Sequence, residues 1–203
     1  MAVIDLSKDP LIIDMRESID RFDISFLHLL SERMRIVKKI MFIKFLRQID
    51  LSQSDARKED MQELIEMSVR LSLEKKFFKR ILDLVFQDAI EQFNEKEVEE
   101  NRDSLEKICA PYSLDNLRNS LLNLDKSLCF ILAERFCVVK EIGIYKDQLN
   151  VPPLDPKRWQ DVLDNKVEIA KKINLSKSLV KNIFNSIHEV SLDIERRIEE
   201  SKA

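Results

Sequence analysis

Two cationic side chains, Arg135 and Lys146, interrupt the apolar face of a segment with the spacing of a long amphipathic helix. Apolar residues recur three or four positions apart along this segment, as on one face of an α-helix. They are Leu117, Leu121, Leu124, Leu128, Ile131, Val139 and Ile142. No acidic residue lies three or four positions from either cation, so neither has an ion-pair partner at those positions on its own helix. Because an unpaired buried cation is costly, we expect a negatively charged group from elsewhere to meet both cations.

The same arrangement occurs 102 residues earlier in the chain, where cations again interrupt an apolar face. In each copy a second arginine follows the first by 17 residues, and a lysine follows after 11 more. The equivalent pairs are Arg16 and Arg118, Arg33 and Arg135, and Lys44 and Lys146. The chain therefore has the pattern of a tandem duplication.

The spacing of these cations indicates which of them can share a ligand. Arg118 and Arg135 are separated by roughly 26 Å along a helix, which is too far to hold one small molecule. If the two units pack as a pseudo-symmetric pair with antiparallel long helices, the leading arginine of one unit reaches the pocket of the other. Arg135 and Lys146, roughly 16 Å apart on nearly the same face, can close on a small dianion from opposite ends. The pattern predicts a pocket for two carboxylates.

Composition limits the fold and the partners. The 203 residues include one Gly and five Pro, with 35% charged and 44% hydrophobic residues, which predicts an all-α protein of long helices. A net charge of −3 gives no basic field for nucleic acid or anionic lipid. The three cysteines, Cys109, Cys129 and Cys137, form neither a disulfide framework nor a zinc motif, so no metal is expected. Because no signal segment or long apolar run is present, we expect a cytoplasmic protein without a membrane partner.

Helix start and stop signals divide each copy into a long, a short and another long helix. Asp9 and Pro10 predict the start of a first helix that runs to about residue 49. The third helix is predicted to continue into the acidic run Glu95–Glu100, read as a solvated helix end that joins the halves. The predicted organisation is a first unit at 1–98, a connector at 99–112, and a second unit at 113–203 that opens with Ser113 as a cap.

The order of these residues resembles the all-helical chorismate mutases. The resemblance is carried by Leu117-Arg118, the Leu-Ala-Glu-Arg that ends at Arg135, Lys146, the Asp155-Pro-Lys-Arg158 stretch, Ser191 and Glu195. It covers about residues 10 to 95 and 113 to 200. In that family three-helix units pair as intertwined homodimers. The resemblance therefore implies two fused units packed as an intertwined pseudo-dimer, with a monomer expected rather than a homodimer.

The resemblance also implies a set of site residues in the second half. Arg135, Lys146, Arg158 and Glu195 would be catalytic, with Arg16 arriving from the first half. Asp155 and Ser191 would bind substrate, and Trp159 replaces an acid of the family. The first half would keep Arg33, Lys44 and Arg118, with Arg57 one residue from the position equivalent to Arg158. The remaining equivalents in the first half are Gln53 for Asp155, Ala56 for Arg158, Ala89 for Ser191 and Phe93 for Glu195. One working site per chain is expected.

The implied reaction is the rearrangement of chorismate to prephenate within one molecule. It needs conformational restraint and charge stabilisation, and no nucleophile, metal or cofactor is expected. Arginines would clamp the two carboxylates, and Lys146 would donate to the ether oxygen. Glu195 can donate a hydrogen bond only when protonated, so we expect turnover to rise below neutral pH.

Other interpretations remain open at this stage. A single cation on an apolar face more often extends to solvent or fixes packing, and Arg33 and Lys44 are either relics or contacts for an effector. His28 and His188 are predicted to be surface or packing residues, and Trp159 to pack beside the pocket. The alternative functions are an isochorismate pyruvate lyase and a non-catalytic helical module that binds a metabolite or an enzyme of the aromatic pathway.

Overall fold

The computed structural model describes residues 6–51, 58–151 and 156–201, and these residues form helices joined by short turns, with no strand among them. A short 3-10 helix, Leu6–Lys8, precedes eight described α-helices. These are α1 (Pro10–Leu46), α2 (Lys58–Arg70), α3 (Lys75–Glu91), α4 (Glu95–Glu100), α5 (Arg102–Cys109), α6 (Leu114–Gln148), α7 (Pro156–Lys172) and α8 (Lys177–Glu200). The prediction of an all-α fold is confirmed. No described helix is long and apolar enough to cross a membrane.

The starts of both long helices follow the predicted caps. The Asp9 carboxylate accepts hydrogen bonds from the backbone N–H groups of Leu11 and Ile12, at 3.0 and 3.1 Å. At the start of α6, the Ser113 hydroxyl accepts one from the N–H of Asn116 at 3.1 Å. These side chains satisfy N–H groups that have no partner within the helix.

The helix ends reproduce the repeat in the backbone itself. Four described residues other than glycine have a positive φ: Gln48, Ser72, Asn150 and Asn174. They form two pairs 102 residues apart, and each follows a helix end. Because a left-handed residue turns the chain out of a helix, α1 ends at Leu46, three residues before the predicted end.

The prediction that the third helix continues through the acidic run is wrong. Helix α3 ends at Glu91, and the Asn94 side chain accepts a hydrogen bond from the N–H of Glu97 at 3.3 Å to cap a separate helix, α4. Val98, in the middle of the acidic run, is buried. The run is therefore a short helix with one packed face, and α5 follows it within the predicted connector.

The described residues form two compact units that do not coincide with the sequential halves. Unit 1 comprises residues 1–27 and 131–203, and unit 2 comprises residues 28–130. Helix α1 gives its first part to unit 1 and the rest to unit 2, and α6 does the reverse. The division at 1–98, 99–112 and 113–203 stays a prediction about the repeat.

Each unit has its own apolar core. In unit 1 the rings of Phe26 and Phe184 meet edge to face at 6.2 Å, and Ile183 and Ile187 are completely buried. In unit 2 the equivalents of those two isoleucines, Ile81 and Val85, are also completely buried. Equivalent positions of α3 and α8, the last helices of the two copies, are therefore buried alike.

Candidate active site

Six of the predicted site residues line one cavity in unit 1. They are Arg16, Arg135, Lys146, Arg158, Ser191 and Glu195. The first part of α1 supplies Arg16, α6 supplies Arg135 and Lys146, α7 supplies Arg158, and α8 supplies the last two. Asp155 lies outside the described residues. The cavity thus gathers side chains from four helices and from both copies of the repeat.

Arg135 is only 5% exposed, and its partners belong to the chain itself. Its Nε donates to Oδ1 of Asp23 at 2.6 Å, and its Nη1 donates to the Ser191 hydroxyl at 3.1 Å. That hydroxyl in turn donates to the backbone carbonyl of Ile187 at 2.9 Å. The negative group expected to meet Arg135 is therefore first of all Asp23, a buried residue that the sequence analysis missed.

Lys146 and Glu195 form an ion pair in the same cavity, with Nζ and Oε2 2.8 Å apart. Burial raises the pKa of the Glu195 carboxyl, and the hydrogen bond and charge of Lys146, followed by the charge of Arg16, act in the opposite direction. The net upward shift in pKa brings protonation of Glu195 closer to neutral pH. A protonated Glu195 can donate a hydrogen bond, as its predicted role requires.

The single glycine of the chain lies where α6 passes Glu195. A Cβ atom at Gly143 would come within 2.8 Å of Cδ1 of Ile198 and 3.2 Å of Cγ of Glu195. The first copy has Met41 at the equivalent position. Gly143 therefore permits the close approach of α8 to α6 at Glu195, one turn of helix before Lys146.

Trp159 and His188 form one wall of the cavity. Their rings stack with centroids 3.9 Å apart and an interplanar angle of 6°. Burial lowers the pKa of His188, and the nearby charges of Arg135 and Lys146 lower it further, so its ring is neutral at neutral pH. Trp159 packs beside the cavity as predicted. His188 is likewise a packing residue, but the sequence analysis did not place it at the site.

Unit 2 contains a second cavity, lined by Arg33 and Arg118 and by the acids Asp60, Asp83 and Asp125. Arg33 is held by Asp125, with Nε to Oδ1 at 2.5 Å and Nη2 to Oδ2 at 3.2 Å. This ion pair is the equivalent of Arg135 with Asp23. Asp60 and Asp83 also line the cavity, and their negative charge makes it unsuited to a dianion.

The other residues predicted for the first-half site do not complete this cavity. Lys44 is buried, but it is not among the described residues that line the cavity of unit 2. The structure therefore does not bring Lys44 into the predicted first-half site. Arg57 lies outside the described residues. Phe93, the equivalent of Glu195, packs against Phe42 and Phe45 with ring centroids 5.8 Å away in each case. An aromatic cluster therefore takes the place of the carboxyl group.

The cavity of unit 1 brings together three arginines, a lysine and two acids on an all-helical scaffold, and arginine and lysine are the side chains that bind carboxylates. The sequence profile of the family described as chorismate mutase type II matches two segments of this chain, residues 15–93 and 117–196. The chain belongs to the chorismate mutase type II family. The two matched segments correspond to the two copies of the repeat.

A curated relative is the chorismate mutase of Methanocaldococcus jannaschii. It is 26% identical over 76 residues, which cover 37% of this chain and 77% of the relative. The matched length is about that of one copy of the repeat. No solved structure matches the chain significantly.

Proposed function

We propose that this protein is a chorismate mutase, and that the cavity of unit 1 converts chorismate to prephenate. The observation that carries the proposal is the meeting of Arg16, Arg135, Lys146 and Arg158 in one cavity. Chorismate carries two carboxylates, and the four cations exceed the two acids of the lining, Asp20 and Glu195, by two. Membership of the family supports the same substrate.

The proposed mechanism is restraint of a flexible substrate. The bond that forms and the bond that breaks lie in the same molecule, so the main requirement is to hold its two ends together. Guanidinium groups bind carboxylates through two parallel hydrogen bonds and thereby fix their orientation. Arg16 and Arg158 perform this role in our proposal, Arg135 adds a hydrogen bond from Nη2, and the stacked rings of Trp159 and His188 exclude water from one side.

Lys146 and Glu195 stabilise the charge that develops as the ether bond breaks. Negative charge grows on the ether oxygen in the transition state, and the ammonium of Lys146 donates to that oxygen. Nζ of Lys146 donates to Oε2 of Glu195 at 2.8 Å, and in our proposal Glu195 donates a second hydrogen bond to the ether oxygen when it is protonated. Asp155 and Ser191 complete the proposed site, and Ser191 acts through its contact with Arg135.

The experiment is to measure prephenate formation by the wild type and by Arg158→Ala. Arg158 is preferred to Arg135, because truncation of Arg135 would leave the buried Asp23 without its arginine and endanger the fold. Loss of one guanidinium that orients the substrate is expected to reduce kcat/KM by about 10²-fold or more. Lys172→Ala, at an exposed position of the same helix, is the matched control.

Parallel assays with isochorismate separate the alternative functions. Pyruvate release from isochorismate without prephenate formation from chorismate would identify a lyase. No reaction with either substrate, together with no binding of a bicyclic transition-state mimic, would identify a non-catalytic module. Equal activity of Arg158→Ala and the wild type would contradict the assignment of the site.

The proposal includes the assembly of the chain. A single chain contains both copies of the repeat, and Arg16 from the first copy already lines the cavity of unit 1. We therefore propose a cytoplasmic monomer that works as a fused pseudo-dimer, with an inactive cavity in unit 2. Sedimentation should give the mass of one chain, and calorimetry with the transition-state mimic should give one site per chain.

A further inference from the structure

A buried lysine lies behind the arginine of the proposed site. Lys166, on α7 in unit 1, is 2% exposed. Its Nζ lies 2.7 Å from Oδ1 of Asp20 and 3.4 Å from Oδ2 of Asp23. Asp23 uses its other oxygen, Oδ1, to accept from Nε of Arg135 at 2.6 Å. Oδ1 of Asp23 thus accepts a hydrogen bond from Arg135, whereas Oδ2 accepts no hydrogen bond from a described residue and lies beside the charge of Lys166.

Unit 2 provides an internal comparison without this lysine. The position equivalent to Lys166 holds Leu64, and the position equivalent to Asp20 holds Leu122. The arginine and its buried acid remain, as Arg33 and Asp125. There both oxygens of the acid engage the arginine, at Nε and at Nη2. The same ion pair is therefore bidentate where the lysine is absent and monodentate where the lysine is present.

This difference changes what Arg135 can offer a ligand. With Asp23 on Nε and Ser191 on Nη1, Nη2 of Arg135 makes no hydrogen bond to any described residue. In unit 2 the corresponding nitrogen is already used by Asp125. A carboxylate shared between two cations also neutralises each of them less completely than a carboxylate held by one. Arg135 thus keeps a donor, Nη2, that its equivalent in unit 2 gives to the acid.

We propose that Lys166 is a positioning residue for substrate binding at the unit 1 site. Its charge attracts Oδ2 of Asp23 from 3.4 Å and so keeps Nη2 of Arg135 for a substrate carboxylate, while Asp20 accepts the hydrogen bond of Lys166. The Asp20 side chain is half exposed, so water screens it and it does not cancel the charge of Lys166 at Asp23. This inference rests on the proposed function, since the carboxylate belongs to the proposed substrate.

The test is Lys166→Leu, which installs the residue found at the equivalent position of unit 2. Asp23 is expected to rotate onto Nη2 of Arg135, as Asp125 does on Arg33. KM for chorismate should rise about tenfold, the equivalent of about 1.4 kcal/mol, while kcat changes less because the group that meets the ether oxygen is untouched. Lys166→Arg, which keeps the charge, should retain most of the wild-type affinity. Lys171→Leu, at an exposed position on the same helix, is the control.

A second variant guards against a simple failure to fold. Asp20→Leu combined with Lys166→Leu reproduces the leucine pair of unit 2 and leaves no isolated charge from this network. Calorimetry with the bicyclic dicarboxylate mimic should show about tenfold weaker binding for both leucine variants. Unchanged KM and unchanged binding in a folded leucine variant would overturn the inference. A wild type that binds the mimic without turnover contradicts the proposed reaction alone, and a wild type that binds none contradicts both.

Discussion

Replacement of Ala89 by serine is expected to stabilise the protein, because Arg33 lacks a partner that its equivalent has. Among the described residues, Nη1 of Arg33 is buried and makes no hydrogen bond. The equivalent atom of Arg135 donates to the Ser191 hydroxyl at 3.1 Å. The residue equivalent to Ser191 is Ala89, which is 1% exposed and has no acceptor on its side chain. The serine would restore the missing acceptor.

The magnitude follows from the hydrogen bonds of the existing pair. A hydrogen bond to a charged group contributes about 1.5–3 kcal/mol, and burial of a hydroxyl without full compensation costs about 1–3 kcal/mol. The Ser191 hydroxyl recovers much of that cost by donating to the backbone carbonyl of Ile187 at 2.9 Å. A serine at position 89 can donate in the same way to the carbonyl of Val85, the residue equivalent to Ile187. We therefore expect a net gain of about 1 kcal/mol in the free energy of unfolding, or about 2–4 °C in Tm.

Urea denaturation of a matched set of variants measures this effect. Ala89→Cys adds a side chain of similar shape with a weak acceptor, so it should not share the gain of Ala89→Ser. Ser191→Ala is the mirror change and should lower the free energy of unfolding by about 1–3 kcal/mol, because it leaves the Arg135 donor buried without this acceptor. If Ala89→Ser were no more stable than Ala89→Cys, the reasoning about Arg33 would be refuted.

Three further predictions concern the cavity of unit 1. Burial raises the pKa of Glu195, and only its protonated form donates, so activity should be highest below that pKa and should fall as the pH rises through it. Glu195→Gln should flatten the pH profile of activity, and a flat wild-type profile would contradict this role. Gly143→Ala should lower kcat several-fold by displacing Glu195, although helix propensity alone would stabilise the protein by about 1 kcal/mol. An unchanged kcat would show that the close approach of α8 to Gly143 is not required for catalysis. Arg16→Ala should reduce prephenate formation and Arg21→Ala, exposed on the same helix, should not, so equal rates would show that the first copy does not serve this site.

The helices were predictable to the extent that their signals are local. Caps at Asp9 and Ser113 and the apolar period fixed the long helices, because these features act within a few residues. The end of α3 was not predictable in the same way. The residues around Asn94 are mostly good helix formers, so propensity favours continuation, and the side-chain cap on α4 prevails over it.

The site residues were predictable as a set, but their internal partners were not. The spacing of Arg135 and Lys146 identified the cavity, whereas Asp23 and Lys166 pair with groups on other helices, and such pairs leave no period in the sequence. One signal for Asp23 was present. It recurs as Asp125 at the same offset of 102 residues, so the acid is duplicated together with the arginine that it holds.

This duplicated acid changes what can be inferred from a cation on the apolar face of a helix. Arg33 and Arg135 each meet a buried carboxylate of the chain, so neither arginine by itself requires a ligand. What distinguishes the two cavities is the charge left over. Among the described residues, four lysine and arginine side chains and two acids line the cavity of unit 1, whereas two arginines and three acids line that of unit 2. Of these two cavities, only that of unit 1 has more lysine and arginine side chains than acids in its lining, which is the balance that the proposed dianion needs.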